Sequence, residues 1–364
     1  MNIKKTLKAA LAALLCAATF TACSAGGNSG SSSVQNSSAD SDTSAVSDVS
    51  SDSEAADSSD ASDSTDTSAA ESIRVAALKG PTAMGMTKLM SDDETENYPY
   101  EFTIAAAVDE ISPMIAQGTV DIACVPANLG AVLYSKTEGK VQTLAVNTLG
   151  VLYIVENGES VNTVADLKGK TIYSAGKGAT PEYALNFILT SNGLDVEKDV
   201  NIEWKSEHAE CLAALLADEN SVAMLPQPFV TTAQAKNEGV RVALDLNNEW
   251  DNLGVASSLL TGIVIARKDF VEQNPDAVKE FLSRYKDSVD YVNGNIDEAA
   301  ALIEKYDIVP AAVAKKAIPE CNIVCITGEE MKTKLSGYLQ VLFDQLPQSV
   351  GGAMPADDFY FIAG

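Results

Sequence analysis

Basic side chains and histidine are scarce in this chain of 364 residues. It carries 25 lysine and arginine residues against 51 aspartate and glutamate residues, and its net charge at pH 7 is −26. A surface this acidic repels the phosphates of nucleic acids, so a nucleic-acid partner is not expected. The one histidine and the few cysteines do not cluster with the spacing of metal ligands, and neither a metal nor another cofactor is predicted.

The single histidine also argues against acid–base catalysis. His208 stands between Glu207 and Glu210 at the start of a predicted helix. A surface position is expected there, whereas a general base needs a pocket and a positioned substrate.

Cysteine is uncommon too, with six residues in the whole chain. Cys124 lies in an apolar strand pattern and Cys211 precedes a Leu/Ala helical pattern, so both are expected to be small core residues. Cys321 and Cys325 are near neighbours in the sequence, and their spacing leaves open whether they form a disulfide.

Long apolar runs are absent as well. The apolar stretch of residues 9–20 is too short for a membrane-spanning helix of about 20 residues, and no later apolar run is longer. Three lysines precede this stretch and Ala22-Cys23 follows it, which resembles the signal of bacterial lipoproteins. We therefore expect residues 1–22 to be a signal peptide and Cys23 to carry the lipid, although ordinary cleavage beside an incidental cysteine is the alternative.

Residues 23–72 after the signal have little that could build a core. They are almost entirely Ser, Asp, Ala, Gly and Thr, without an aromatic, lysine or arginine side chain. Such a segment buries too little apolar area to offset its ordering entropy, and its like charges favour extension. We expect a disordered tether.

From Ile73 onward, short apolar strands alternate with helical patterns. Strands are predicted at 73–78, 102–108, 121–125, 142–146, 151–155, 171–174, 201–205, 221–225, 241–246 and 261–266. Helices are predicted at 83–90, 109–117, 128–136, 182–192, 210–217, 229–236, 275–294, 297–306, 309–317 and 328–345. This alternation predicts an α/β fold with mostly parallel sheets.

The order of elements occurs twice, which predicts two similar lobes. Ile122–Pro126 aligns with Val222–Pro226, and the glycine-containing turns at 79–82 and 177–180 lie at nearly the same offset. Lobe 1 is predicted to comprise 73–152 and 250–364, and lobe 2 to comprise 153–249. The chain would cross between them near 149–154 and 246–260, which would form a hinge.

Ligands of open α/β sheets bind beyond the carboxyl ends of the strands. In each lobe, two such ends run into helix N-termini, whose free N–H groups favour anionic or polar groups. Lys177 is the one obvious cation there, and it is the predicted contact for a carboxylate, sulfonate or phosphate. The full set of predicted ligand contacts is Gly80, Pro81, Thr82, Ala83, Met84, Pro126, Ala127, Asn128, Asn147, Thr148, Lys177, Gly178, Ala179, Thr180, Pro226, Gln227 and Trp250.

Five runs of sequence point to a known family. They are Ile73-Arg74-Val75-Ala76 leading to Gly80-Pro81-Thr82-Ala83-Met84-Gly85, the run 117–123 from Gln117-Gly118, the Asp-Leu-Lys-Gly-Lys run at 166–170, Pro226-Gln227-Pro228-Phe229, and Ala266-Arg267-Lys268-Asp269-Phe270. With them the chain resembles solute-binding lipoproteins of bacterial ABC importers with the type II periplasmic-binding-protein fold. Within that family it is most similar to the group that serves nitrate, sulfonate or taurine, and thiamine-pyrimidine uptake (the NMT1-like group).

The resemblance implies a monomeric receptor, not an enzyme, held by a lipid on the outer face of the cytoplasmic membrane. It would capture a small organic solute between its lobes and deliver it to an ABC permease. The chain departs from the family at Gln227, where members often carry Glu, and an aromatic-rich pocket is not evident. A secreted enzyme on the same fold, or a surface lipoprotein without a transport role, stays open as an alternative.

Overall fold

The computed structural model describes residues 72–96, 98–255 and 257–362. The predicted signal peptide, the lipidation site Cys23 and the predicted tether up to residue 71 lie outside these residues. Within the described part of the chain, no helix is both long and apolar enough to cross a lipid bilayer.

The strands alternate with helices through most of the chain. The strands are β1 (Ile73–Leu78), β2 (Tyr100–Ala105), β3 (Ile122–Pro126), β4 (Val141–Leu149), β5 (Leu152–Asn157), β6 (Thr171–Ala175), β7 (Asn201–Lys205), β8 (Val222–Pro226), β9 (Val240–Asp245), β10 (Leu260–Arg267) and β11 (Ile323–Ile326). The helices are α1 (Pro81–Met84), α2 (Thr87–Glu96), α3 (Val108–Gln117), α4 (Ala127–Lys136), α5 (Thr180–Ser191), α6 (His208–Ala217), α7 (Phe229–Lys236), α8 (Leu246–Asn252), α9 (Lys268–Gln273), α10 (Pro275–Gly294), α11 (Ile296–Lys305), α12 (Ala311–Ala317) and α13 (Gly328–Gln345). Short 3₁₀ turns lie at Val164–Leu167, Ile318–Glu320, Pro347–Val350 and Asp357–Phe359.

The strands form two sheets of the same design. The first has the order β11-β4-β10-β3-β1-β2 and the second has the order β7-β6-β8-β5-β9. Without β11, the two orders correspond strand for strand, and β1–β3 and β6–β8 are parallel pairs in equivalent places. The repeated pattern in the sequence therefore reflects two lobes with one topology.

Antiparallel strands correct the prediction of mostly parallel sheets. β10 runs antiparallel to both β3 and β4, and β5 runs antiparallel to both β8 and β9. Each of these strands enters its sheet directly from the other lobe instead of through a helix within its own lobe. β5 and β10 therefore each start at the edge formed by the carboxyl ends of the parallel strands, and each runs in the opposite direction to them.

Three elements differ from the sequence prediction. The helix predicted at 83–90 is two helices, α1 and α2, because the chain turns at Gly85-Met86. No helix is predicted between residues 246 and 260, but this segment begins with α8, whose N-cap Asp245 accepts a hydrogen bond from Asn247 N at 2.9 Å. Strand β11 has only four residues, too few for a periodic signal.

The core of the described residues consists of three apolar clusters. The largest packs α3, α4 and α13 of lobe 1, and α5 and α8 of lobe 2, against one face of each sheet, so it is continuous across the two lobes. The second covers the other face of the first sheet with α1, α2 and helices α9 to α12. The third packs α6 and α7 on the second sheet.

The four cysteines in the described residues are free, so Cys321 and Cys325 are not joined. Cys124 and Cys211 are buried in the core, as predicted.

Candidate functional site

The carboxyl ends of the parallel strands in each sheet lie next to the two crossings between the lobes. Gln227 N, just after β8, donates to Val151 O in the first crossing at 3.1 Å. Gly150 in the same crossing packs against Asn247 in the second crossing, since a Cβ added at Gly150 would lie 2.5 Å from Asn247 Oδ1. These edges, where ligands of such sheets bind, therefore carry the loops after β1, β3, β6 and β8.

In lobe 1 the structure brings three of the predicted residues together. Thr82, Asn147 and Thr148 surround Gly262 of β10, where an added Cβ would lie 2.4 Å from Asn147 Oδ1 and 2.8 Å from Thr82 Cγ2. Thr148 Oγ1 donates to Asn147 Oδ1 at 3.2 Å. The Asn147 side chain is buried, and its amide also lies against the Cys124 thiol and the Tyr285 hydroxyl in the core.

In lobe 2 the glycine-containing turn before α5 presents a cation. Lys177 and Gly178 are exposed, and among the described residues the Lys177 ammonium makes neither an ion pair nor a hydrogen bond. Gly178 has a φ of 77°, and Gly80 in lobe 1 has a φ of 131°. A Cβ added at either glycine would meet no described atom within 4 Å, so each needs glycine for its backbone conformation and has open space beside it.

Two predicted residues meet directly across the lobes. Asn128 Oδ1 accepts hydrogen bonds from Thr180 N at 3.1 Å and from Thr180 Oγ1 at 3.3 Å. The two residues are 3% and 2% exposed. The N-termini of α4 and α5 are therefore in contact, and at this point the lobes are closed on each other.

Gln227 is buried and uses its carbonyl group locally. Its Oε1 accepts from Thr231 Oγ1 at 2.9 Å and from Thr231 N at 3.3 Å, which caps the first turn of α7. Within the described chain its Nε2 makes no hydrogen bond. Pro226, Pro126, Pro81 and Ala179 are half-buried beside the same loops.

Four predicted contacts are core residues instead. Ala83, Met84 and Ala127 are fully buried under the first sheet's helices. The ring of Trp250 lies between Phe187 and Tyr338, with ring centroids 4.6 and 5.6 Å away, and its Nε1 donates to Ser257 O at 2.9 Å. These four side chains pack into the core, and their contact with a ligand stays a prediction.

His208 is less exposed than the surface position predicted from the sequence. It begins α6 shortly after β7, it is half-buried, and its ring centroid lies 5.5 Å from that of Phe229. Burial lowers the pKa of His208 to about 4, so the imidazole is neutral at pH 7. Its Nδ1 is buried with no hydrogen-bond partner in the part of the chain described. The rule that ligands bind beyond the carboxyl ends of strands would have selected His208 if it had also been applied to the end of β7.

Two cavities lie away from these residues. One, of about 490 Å³, is at the opposite edge of the first sheet, where Lys140, Arg267 and Glu272 line it. The other, of about 340 Å³, lies between α10, α11 and the segment 318–324.

Comparison with known proteins assigns the class. A family model described as the phosphonate periplasmic substrate-binding protein of ABC transporters matches residues 89–317. That match covers more than half of the chain, so the chain belongs to this family of transport proteins. Membership confirms the resemblance to ABC-importer binding proteins drawn from the sequence.

Individual relatives are more distant. Putative binding proteins of Brucella abortus (strain 2308) and Brucella suis biovar 1 are each 24% identical over 174 residues, which is 48% of this chain and 52% of theirs. The chain thus spans about half the length of the curated relatives it matches.

Solved structures show the same fold. An ABC transporter protein from Parabacteroides distasonis aligns with a TM-score of 0.67 and 23% identity over 79% of this chain and 98% of its own. The periplasmic aliphatic sulphonate binding protein SsuA from Escherichia coli aligns with a TM-score of 0.65 and 16% identity over 80% and 92%. A Candida albicans protein with the generic periplasmic-binding-protein fold has a TM-score of 0.54 and 16% identity over 79% and 92%. The predicted fold class is confirmed.

Proposed function

We propose that this protein is the extracytoplasmic solute-binding component of an ABC importer. The match to the family model carries this proposal. The matched residues 89–317 begin in lobe 1, include every strand of the second sheet and end in lobe 1. The facing carboxyl edges provide the site for a small molecule, and an ABC permease is the partner that would receive it. The protein would act as a monomer and not as an enzyme.

The solute we propose is a small organic anion with a phosphonate or sulfonate group. Support comes from the turn before α5, where Lys177 offers an ammonium that is unpaired among the described residues, in a chain of net charge −26. A local cation at a helix N-terminus is needed to hold an anion against such a field. The family description names phosphonate, and the structural relative from Escherichia coli is a sulphonate binder.

The proposed site is smaller than the set predicted from sequence. Lobe 1 would contribute Thr82, Asn147 and Thr148, and lobe 2 would contribute Lys177, Thr180, Gln227 and His208. His208 Nδ1 supports this choice, since it has no partner in the described ranges and such buried polar atoms are uncommon in native structures. The proposed lobe boundaries are 73–152 with 250–364, and 153–249.

The enzyme alternative has less support. A general base with ordinary reactivity at neutral pH needs a pKa near 7, whereas burial lowers the pKa of His208 to about 4. A neutral imidazole can still exchange a hydrogen bond with a bound ligand. Mass spectrometry of the small molecule released from the denatured protein separates the two hypotheses: an intact phosphonate or sulfonate supports the binder, and a product formed from an added substrate supports the enzyme.

We further propose that Cys23 carries a lipid that holds the receptor at the outer face of the cytoplasmic membrane. The support is the sequence around it, with a short apolar stretch before Ala22-Cys23 and a Ser/Asp-rich segment after it. Cys23→Ser is expected to move the protein from the membrane fraction to the soluble fraction. Unchanged membrane association of the variant would contradict lipidation.

Lys177→Ala is expected to weaken binding of methylphosphonate about tenfold, because a charge-assisted hydrogen bond to an anion contributes about 1.5 kcal/mol at an exposed position. Isothermal titration calorimetry measures the change, and Lys177→Arg should keep most of the affinity. Lys198→Ala is the matched control, since Lys198 is also an exposed lysine of lobe 2 but pairs with Asp195. Equal affinity in Lys177→Ala and Lys198→Ala would remove Lys177 from the site.

A further inference from the structure

A short segment between α12 and β11 lies against the first crossing between the lobes. We call this segment, residues 318–323, the strap. Its Asn322 O accepts a hydrogen bond from Leu149 N at 3.1 Å, and Asn322 Nδ2 donates to Gly150 O at 2.6 Å. One asparagine of the strap therefore holds two successive residues of the crossing.

The strap also reaches the second sheet. Tyr153, the second residue of β5, donates from its Oη to Glu320 O at 3.2 Å. Tyr153 is 5% exposed, and its ring packs in the apolar cluster of the second sheet. The strap leads directly into β11, which pairs with β4 of the first sheet. This bond therefore joins the two lobes separately from the covalent crossings.

Two features indicate that hydrogen bonds fix the position of the strap. Asn322 has a φ of 44°, a conformation that costs free energy for a residue with a side chain. Its two bonds to the crossing offset that cost. The cavity of about 340 Å³ borders the strap at Ile318, Pro319 and Asn322, so packed side chains do not fill that side of it.

We propose that the strap is a third connection of the hinge, and that Asn322 and Tyr153 influence the orientation of the lobes without touching the solute. Rotation of the second sheet about the crossings would lengthen the bond from Tyr153 Oη to Glu320 O. The bond therefore stabilises the arrangement in which the facing edges of the two sheets are in contact, and its loss shifts the equilibrium away from that arrangement. The restraint depends only on observed contacts, whereas its effect on solute binding rests on the proposed function.

Asn322→Asp tests whether the strap holds the crossing. Aspartate tolerates the left-handed conformation, but its carboxylate has no donor for Gly150 O. The hydrogen-exchange rate of the Leu149 amide should rise about fivefold, because loss of one hydrogen bond shifts local opening by about that factor. Asn220→Asp is the matched control, since Asn220 has a φ of 63° and its side chain makes no hydrogen bond to the described residues. Equal exchange of the Leu149 amide in wild type and Asn322→Asp would overturn this role of the strap.

Tyr153→Phe tests whether the strap restrains the lobes. It keeps the ring and removes only the hydroxyl that donates to the strap. The readout is the amide of Thr180, which donates to Asn128 Oδ1 at 3.1 Å across the lobes. With no ligand added, its exchange rate should rise about fivefold. Tyr173→Phe is the matched control, because Tyr173 packs on the same apolar cluster and its hydroxyl has no hydrogen bond within the described ranges. Unchanged Thr180 exchange in Tyr153→Phe would contradict the restraint.

The probe methylphosphonate tests the effect on binding. It should dissociate about fivefold faster from Tyr153→Phe than from wild type or Tyr173→Phe, because a solute between the facing edges leaves when they separate. Unchanged dissociation together with faster Thr180 exchange would contradict the effect on binding and support the third connection. If wild type bound neither methylphosphonate nor methanesulfonate, the proposed ligand class would be wrong, and the Leu149 and Thr180 amides would still decide whether the strap restrains the lobes. Thermal unfolding of each variant verifies that the fold is retained.

Discussion

Replacing Asp121 by alanine is expected to lower the free energy of unfolding by about 3 kcal/mol, as breaking a buried ion pair does. The Asp121 carboxylate accepts from Arg74 Nε at 2.9 Å, from Arg74 Nη2 at 2.7 Å and from Arg267 Nη2 at 2.9 Å. Asp121 is 3% exposed, and its loss would leave two guanidinium groups facing each other at the ends of β1, β3 and β10. Urea denaturation at pH 7 measures the effect.

The same carboxylate should make stability depend on acid. Burial raises the pKa of Asp121, but the hydrogen bonds from Arg74 and Arg267 outweigh burial and hold the pKa below its ordinary value. Because the folded pKa is the lower one, this contribution to stability is fully present above the unfolded pKa of about 4 and is lost as the pH falls through the folded pKa. Asp121→Asn should lack that part of the acid dependence.

Lys198→Ala is the control for this experiment. Its ion pair with Asp195 lies on the surface, and such a pair contributes about 0–1 kcal/mol. If Asp121→Ala and Lys198→Ala had the same small effect at pH 7, the network around Asp121 would not hold these strands together.

Replacing Trp250 by alanine is expected to destabilise the protein by about 3–5 kcal/mol, as removal of a large core side chain does. Trp250 is fully buried, and its ring joins Phe187 of lobe 2 to Tyr338 of lobe 1. The variant would therefore weaken the cluster that is continuous across the lobes. Chemical denaturation measures the loss.

Trp250→Phe separates a core role from a ligand contact. It keeps an aromatic ring in place but removes the bond from Nε1 to Ser257 O, so a loss of about 1 kcal/mol is expected. Its affinity for methylphosphonate should stay within about twofold of wild type. Affinity weakened about tenfold with unchanged stability would instead support the ligand contact that the sequence suggested.

Three runs that supported the family resemblance have structural roles. Asp121 and Arg267 form the ion pair described above, and each comes from a different run. In the Asp-Leu-Lys-Gly-Lys run, Asp166 Oδ2 accepts from Asn162 N at 3.0 Å and from Thr163 N at 2.9 Å, which caps a 3₁₀ turn. The contacts of these residues build the scaffold of the fold, which explains why they carry a resemblance without lying at the proposed ligand site.

Most strands and helices were predictable because their apolar periodicity is local. The apolar run of β1 and the amphipathic pattern of α10 lie within single segments of sequence. Strand direction was not predictable for β5 and β10, because it depends on which lobe the chain comes from. The four-residue β11 was missed because a strand that short has too few residues to show a period.

The site was predictable by position but not by side chain. The rule that ligands bind beyond the carboxyl ends of strands selected the loops with Thr82, Asn128 and Thr180. It could not tell which residues of a loop face inward, so Met84 and Trp250 were included although both are buried in the core. Inward or outward orientation depends on the angle at which each helix packs on its sheet.

The sequence by itself determined the class of protein, the two-lobed α/β fold and the acidic character of the whole chain, because each of these follows from local patterns and composition. Only the tertiary structure decided that Asn128 and Thr180, 52 residues apart, share hydrogen bonds, and that the His208 ring packs on Phe229. Both contacts depend on how surfaces formed by distant segments of the chain pack on each other. Such packing leaves no periodic pattern of residues in the sequence, so the sequence could not predict it.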